Sequence, residues 1–413
     1  MKKKILIHSL IFSPDGVSTA YLYNDIALAF KRAGYDVVVL TTTPHFNVVK
    51  DQQEQQPLRW GCWGLFKKSD YNGIPVYHIP QKKFKSTLLR LVGFAYWHVV
   101  SFFVGLFIKN VDVILSPSPP LTIGRINQLL AWFKKCKVVY NVQEIYPDIL
   151  GKKGGLVHDF LSRMERKVYN GSDAVTTIDK VFYDTIIGRF DDRSKLHIIP
   201  NFVDTELYCP GVSTADLDKT VFPETDSIKV LYAGNIGFAQ DWECLVRLAE
   251  KTRSLNVEYF VIGEGVMKNY VEEKKAEMGL EKLHVLPYQP RNLMPAILAY
   301  SDLQFIFMTP QMEGQGFPSK VYTIMACGRP LLVGSGLNTP IVNFLEPVGC
   351  AKLVSCHDLE QKTDEMASWL ASVTRDELRE MGSKGESVIS QSYTKEIVTQ
   401  SYVQLIDSIL GLV

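Results

Sequence analysis

Hydrophobic runs of strand length recur along the chain, and helix-length segments with apolar residues three and four apart separate them. Ile5 to Ile11 is the first such run. The loop SPDGVST follows, then a helical pattern from Ala20 to Arg32 with Gly34 as its stop, and Val37 to Leu40 is the next strand. A strand, glycine-bearing loop, helix and strand in that order form a βαβ unit, which requires a parallel sheet with helices on its faces. Strand-like runs return at Val111–Leu115, Val138–Val142, Ala174–Ile178 and His197–Ile199, making the first half a doubly wound α/β domain.

Between Phe202 and Ser227 prolines and polar residues thicken and the periodicity fades, so residues 205–227 read as a linker. Alternation then resumes, with strands at Lys229–Ala233, Glu258–Ile262, His284–Leu286, Leu303–Phe307 and Leu331–Val333 and the turns GNIG and GEG. The predicted architecture is α/β, two Rossmann-like doubly wound domains (1–204 and 228–393) facing across a cleft. A final helix within 394–413, with Ile397, Val398, Tyr402, Leu405, Ile406 and Ile409 at helical spacing, is placed back on the first domain.

Composition narrows the function classes. At 413 residues the chain exceeds what one core organises, and 46% apolar with 22% charged residues is the balance of a folded protein. A net charge of +1 argues against a basic nucleic-acid binder, so any anion site must be local. Seven cysteines without a CxxC pair fit reduced thiols in a cytoplasmic protein and support no zinc cluster. The start MKKKILIHSLIF lacks a small-residue cleavage site and reads as the first strand.

The stretch EGQGFPSKVYTIMACGRPLL, Glu313 to Leu332, carries the strongest chemical signal. Gly314, Gly316 and Pro318 open it, a helical run from Lys320 to Cys327 follows, and Gly328 and Pro330 close it. A glycine-rich loop leaves backbone N–H groups free, and the helix after it aims a positive dipole end back at the loop, an arrangement that holds a diphosphate. Ser319 and Lys320 would add a hydroxyl and a point charge. Alternatively Ser319 is only a helix cap. Ligands of open α/β sheets bind beyond the carboxyl ends of the strands, which brings the loops Ser13–Thr19, Ser116–Leu121, Gly234–Gly237 and Gly263–Gly265 to the predicted cleft.

Several other residues have two readings. Glu144 and Asp148 in NVQEIYPDI either orient an acceptor, or pair with a neighbouring base and cap the next turn respectively. Ser116 and Ser118 border the acceptor or merely form a turn. Glu264 binds a ribose or base edge or closes a tight turn, and Glu313 is similar. His8 ends the first strand near the cleft or is a core histidine. From Lys82 to Lys109 the chain is basic and then almost wholly apolar, nearly long enough to span a bilayer. Inside an α/β alternation it reads as an interfacial segment, with Lys82, Lys83, Lys85 and Arg90 at anionic headgroups, or as a buried domain helix.

Six pieces in order, SPDGVSTAYLYNDIALAFKRAGYDVVVLT, IIPNFVDTELYCPG, YAGNIG, VIGEGVMKNYVEE, LPYQPRNLMPAILAYSDLQFIFM and GFPSKVYTIMACGRPLLVG, give the chain its resemblance to the family 4 retaining glycosyltransferases of the GT-B fold over nearly its whole length. The run NVQEIYPDILGKKGG and the PSKVY loop look most like a bacterial subgroup that builds exopolysaccharide, capsule or O-antigen units, including the L-N-acetylfucosamine transferases. The resemblance implies transfer from a nucleotide diphosphate sugar, usually a UDP-sugar, with configuration kept and no required metal or cofactor. With the interfacial reading of 82–109, the expected acceptor is a polyprenyl-diphosphate-linked saccharide, and the expected location is cytoplasmic and peripheral to the inner membrane.

The candidate donor contacts are Gly16, Asn235, Gly237, Gly263, Glu264, Arg291, Glu313, Gln315, Gly316, Phe317, Pro318 and Thr323, and the catalytic candidates are Lys320, Ser319, Asp148 and Glu144. Many family members carry two glutamates where this chain has Gln315 and Thr323, and an arginine and a lysine where it has Asn235 and Gln240. Lys320 is the surviving charge. Hexosamine 2-epimerases share the architecture, and a non-catalytic homologue is a third reading.

Overall fold

The computed structural model describes residues 2–48, 50–61, 64–82, 86–148, 154–313 and 317–412. The chain forms two compact units, Met1–Asn201 with Lys395–Val413, and Phe202–Thr394. Each is an α/β unit of the Rossmann-like kind.

The first unit is built on β1 (Lys4–His8), β2 (Asp36–Thr42), β3 (Arg59–Trp60), β4 (Lys67–Tyr71), β5 (Ile74–Ile79), β6 (Val113–Pro117), β7 (Lys137–Val142), β8 (Ala174–Thr177) and β9 (Leu196–Ile198), in the sheet order β3-β4-β5-β2-β1-β6-β7-β8-β9. All pairings from β5 to β9 are parallel, whereas β3 and β4 run antiparallel at one edge. The central strands are buried along nearly their whole length and apolar through their middles, as a parallel sheet covered on both faces requires. The β3–β4–β5 edge escapes the sequence pattern. Lys67 to Tyr71 is KKSDY and never fully buried, so no apolar run marks it.

The second unit contains β10 (Ile228–Ala233), β11 (Val257–Ile262), β12 (Leu283–Leu286), β13 (Leu303–Phe307), β14 (Leu331–Gly334) and β15 (Ala351–Val354), all parallel, in the order β12-β11-β10-β13-β14-β15. The segment 205–227, expected as a linker, belongs to this unit. Leu217 and Phe222 are buried in one core cluster with Leu231, Phe260 and Ile297, so sparse but large apolar residues anchor it despite its polar composition.

The Lys395–Ile409 helix packs on the Ser18–Arg32 helix of the first unit and buries Val398, Tyr402 and Ile406 there. The Thr87–Phe107 helix buries Trp97, Ser101 and Val104 on one side. Its other side exposes Leu88, Leu91, Val92, Tyr96, Val99, Phe103 and Phe107 at helical spacing, so the reading as a wholly buried helix fails. Trp132 and Phe133, at the end of the adjoining Thr122–Lys134 helix, are exposed beside it, with Phe133 6.0 Å from Phe102. Lys83 and Lys85 lie outside the described residues.

Candidate active site

The second unit concentrates unpaired polarity at the carboxyl end of β10. Lys320 begins the Lys320–Ala326 helix, whose apolar side buries Val321, Ile324 and Met325, and this packing fixes where the lysine stem starts. Its ammonium lies 3.7 Å from the Tyr232 ring centroid and donates a 3.2 Å hydrogen bond to the Ala233 carbonyl. Among the described residues no carboxylate comes within ion-pair range of it. Burial pushes its pKa down to about 7.

The magnitudes explain that shift. A desolvated cation–π contact contributes on the order of 2 kcal/mol and a hydrogen bond from a charged donor roughly the same, while the effective desolvation penalty of an ion is several kcal/mol. An arriving anion would remove that deficit.

Two glycine turns frame the ammonium. Gly234 follows β10 with φ +150°, and a β-carbon there would stand 2.7 Å from Lys320 Nζ. Gly263 follows β11 with φ +150°, and its β-carbon would stand 1.9 Å from the Gly234 carbonyl oxygen, so the two turns touch backbone to backbone. The Gly234 N–H donates to Ile262 O and the Ile236 N–H to Glu264 O, both at 2.9 Å. Tyr232 Oη donates to Asn235 O and Trp242 Nε1 to Gly237 O, both at 2.8 Å, pinning the turn from below. Among the described residues the N–H groups of Asn235 and Gly237, in the turn that Gly234 opens, take no acceptor. Tyr232 was not singled out from the sequence, although the motif YAGNIG contained it, whereas the Gly234–Gly237 loop was expected at the site.

Other donor-side candidates fare differently. Glu264 is exposed and paired with Lys268 at 2.8 Å, which holds its carboxyl below the usual range. Glu313 Oε1 accepts the Gly336 N–H at 2.6 Å, so this carboxylate fastens the turn after β14. Phe317 packs against Tyr322 and Phe344, with ring centroids 5.1 and 4.9 Å away in tilted and edge-on contacts, so its ring joins the core cluster. The Pro318 carbonyl accepts the Val321 N–H, and the Ser319 hydroxyl makes no cap to the helix it precedes. Thr323 is partly buried within that helix, and Arg291 is exposed at the start of a 3-10 turn, Arg291–Leu293. Gln315 and Gly316 lie outside the described residues. Gln240 is buried, and its Oε1 accepts the Phe307 N–H at 3.0 Å.

The candidates of the first unit are internal. Ser116 is fully buried and its Oγ accepts from Asn127 Nδ2 at 2.7 Å, while Asn127 Oδ1 faces His8 Nδ1 at 2.6 Å. Ser118 is buried and accepts the Gln143 N–H at 3.1 Å. Ser116 lies within β6 and Ser118 just beyond it, and both hydroxyls are engaged inside the unit. His8 is a core residue, and burial lowers its pKa to about 4. Gly16 gives its N–H to Asn47 O at 2.8 Å and accepts from Asn47 Nδ2 at 2.9 Å, so its backbone is tied to the Asn47 turn. Asp148 is tied at 2.5 Å to Arg189, which also holds the buried Glu165 at 2.7 Å. Glu144 is partly buried, hydrogen-bonded with Tyr146. Among the described residues no three His, Cys, Asp or Glu side chains converge.

Two Rossmann-like parallel-sheet units of this kind make up the GT-B fold. Residues 20–207 match the model of Glycosyltransferase Family 4 and residues 214–386 that of Glycosyl transferases group 1. The chain belongs to the family 4 glycosyltransferases. It is 25% identical over 358 residues to the putative colanic acid biosynthesis glycosyl transferase WcaI of Escherichia coli (strain K12), covering 83% of this chain and 86% of that protein. It is 23% identical over 312 residues to the probable glycosyltransferase WbjE of Pseudomonas aeruginosa, covering 73% and 75%. The crystal structure of Anabaena HepE in complex with UDP superposes with a TM-score of 0.71 at 14% identity, covering 98% of this chain and all of that one.

Proposed function

We propose that the protein is a retaining, metal-independent transferase that moves a sugar from a UDP-sugar to a lipid-linked saccharide in bacterial exopolysaccharide, capsule or O-antigen assembly. The observation that carries this reading is the Lys320 ammonium at the end of β10, without a carboxylate partner among the described residues and framed by the Gly234 and Gly263 turns. UDP bound to HepE and the colanic acid assignment of WcaI support the donor and the pathway class. The likeness of the PSK loop to that of the L-N-acetylfucosamine transferases supports an N-acetylated amino sugar, such as L-N-acetylfucosamine, as the group transferred.

In the step itself the bond between the sugar C1 and the β-phosphate oxygen breaks and one between C1 and the acceptor oxygen forms. The acceptor proton passes to the departing phosphate on the same face of the ring. Charge grows on the β-phosphate, and preorganised donors there lower the barrier. Lys320 and the Asn235 and Gly237 N–H groups fill that role.

The exposed apolar side of the Thr87–Phe107 helix supports attachment to the cytoplasmic face of the inner membrane, where a prenyl-linked acceptor resides. A thermal-shift screen of UDP, GDP and dTDP tests the donor, because a ligand bound to the native state raises the melting temperature by mass action. Transfer from a UDP-N-acetylamino sugar to a prenyl-diphosphate saccharide in the presence of a chelator, with the product anomer read by NMR, tests the rest. Epimer interconversion without any acceptor would sink the transferase reading.

A further inference from the structure

The carboxyl edge of the first unit's sheet holds a groove of about 860 Å³ formed where the loops after β2 and β5 meet the Thr87–Phe107 helix. The antiparallel pairing of β4 with β5 sets Lys67 opposite His78, and that of β3 with β4 sets Trp60 opposite Lys67, so the edge hairpin delivers both side chains to this end of the sheet. The Lys67 ammonium stands 4.9 Å from the Trp60 ring centroid. Lys82, just after β5, adds a second cation. The groove lining contains no carboxylate, and among the described residues neither lysine has an acidic partner.

The opposite wall differs in kind. Leu89, Val92 and Tyr96 line it from the helix, and all three are exposed. They continue into the apolar stripe of Leu88, Leu91 and Val99. One groove thus joins a cationic, indole-bearing end to a greasy ramp. An occupant that matches both ends has a compact anion covalently joined to an aliphatic chain, with a ring system able to lie on an indole face.

We infer that this groove seats the junction of a prenyl diphosphate acceptor. The diphosphate sits between Lys67 and Lys82, the first isoprene units run along Leu89, Val92 and Tyr96, and the first sugar rests on Trp60. The inference rests on the lipid-linked acceptor reading above and assigns it a place.

The test titrates farnesyl diphosphate, inorganic pyrophosphate and farnesol into the full-length protein with UDP saturating, so that the donor turn is occupied. Wild type is expected to bind farnesyl diphosphate at least tenfold more tightly than either fragment. The K67Q/K82Q double variant should lose ten- to a hundredfold of that affinity, and Trp60→Ala should raise the acceptor KM while leaving the donor KM in place. Retention of the UDP-induced thermal shift certifies that each variant is folded. Leu89→Ser with Val92→Ser should weaken farnesyl diphosphate without changing pyrophosphate.

Equal farnesyl diphosphate binding by K67Q/K82Q would overturn the inference. So would farnesol binding as tight as farnesyl diphosphate, or an equal loss of affinity for phosphatidylglycerol vesicles, which would make the lysines a general membrane contact. If the enzyme uses a prenyl diphosphate acceptor and the variants keep its KM, the groove fails and the acceptor reading stands. Transfer to soluble saccharides alone, with no farnesyl diphosphate bound by wild type, sinks both.

Discussion

At the carboxyl edge of the first sheet, Ser116, Ser118, His8 and Gly16 are hydrogen-bonded to Asn127, Gln143 and Asn47 within the same unit. At the carboxyl edge of the second sheet the Lys320 ammonium has no acidic partner, and the N–H groups of Asn235 and Gly237 have no acceptor, among the described residues. Both edges are polar. Outside the Lys67–Lys82 groove the first ties its sequence-marked groups into internal bonds and leaves scattered buried atoms such as His8 Nε2 and Thr41 Oγ1 unpartnered, whereas the second gathers a buried ammonium and two N–H groups at one glycine turn. Residue type marks where chemistry is possible, and availability decides where it occurs.

The sharpest break of this contrast removes that ammonium. Lys320→Ala should lower kcat about 10²–10³-fold, the usual loss when one preorganised charge-stabilising donor is deleted, and should abolish the UDP thermal shift. Near-normal turnover would show that the turn is not where charge develops. Gly263→Ala comes next, because its new methyl would meet the Gly234 oxygen at 1.9 Å in a backbone conformation with positive φ. A loss of about 3 kcal/mol or more in urea unfolding is expected.

Gln240→Leu leaves the Phe307 N–H without its 3.0 Å acceptor and should cost about 1–3 kcal/mol. Ser116→Ala is the reverse probe. It leaves one Asn127 N–H unpaired, so it should cost roughly 1 kcal/mol of stability while kcat and both KM values stay within twofold.

The mildest test is pH. Without an anion the Lys320 ammonium titrates near pH 7 because burial disfavours its charge, and a bound diphosphate favours the charged form. Affinity for UDP should therefore fall as pH rises from 7 to 9, by up to about tenfold per unit. Calorimetry in buffers of different ionisation enthalpy should show proton uptake on binding at pH 8. A flat profile would mean that the amine stays charged in the free enzyme.

Most of the fold was legible in the sequence because the middles of the central parallel strands are apolar runs and glycine turns punctuate them. The β3–β4 hairpin was not, since KKSDY at a sheet edge has no reason to be greasy. The span 205–227 misled for a related reason: its two anchors, Leu217 and Phe222, are few and far apart. Lys320 was readable as the lone cation of a glycine-rich turn. Tyr232 beneath it was hidden, because a tyrosine near a strand end looks like ordinary core. The engagement of Ser116 and Ser118 was hidden too, because a sequence shows a hydroxyl but not the amide already bonded to it.

The Lys395–Ile409 helix makes the first unit discontinuous in sequence. Tyr402 from that helix bonds Asn141 Nδ2 at 3.0 Å, next to Tyr23. On a ribosome the first unit therefore waits for its last piece while 193 intervening residues, Phe202 to Thr394, are made, a delay of roughly 10–40 s at ordinary elongation rates. The later-encoded unit can finish before the earlier one, and a nascent chain stalled before Lys395 would present an open seam for chaperones to guard.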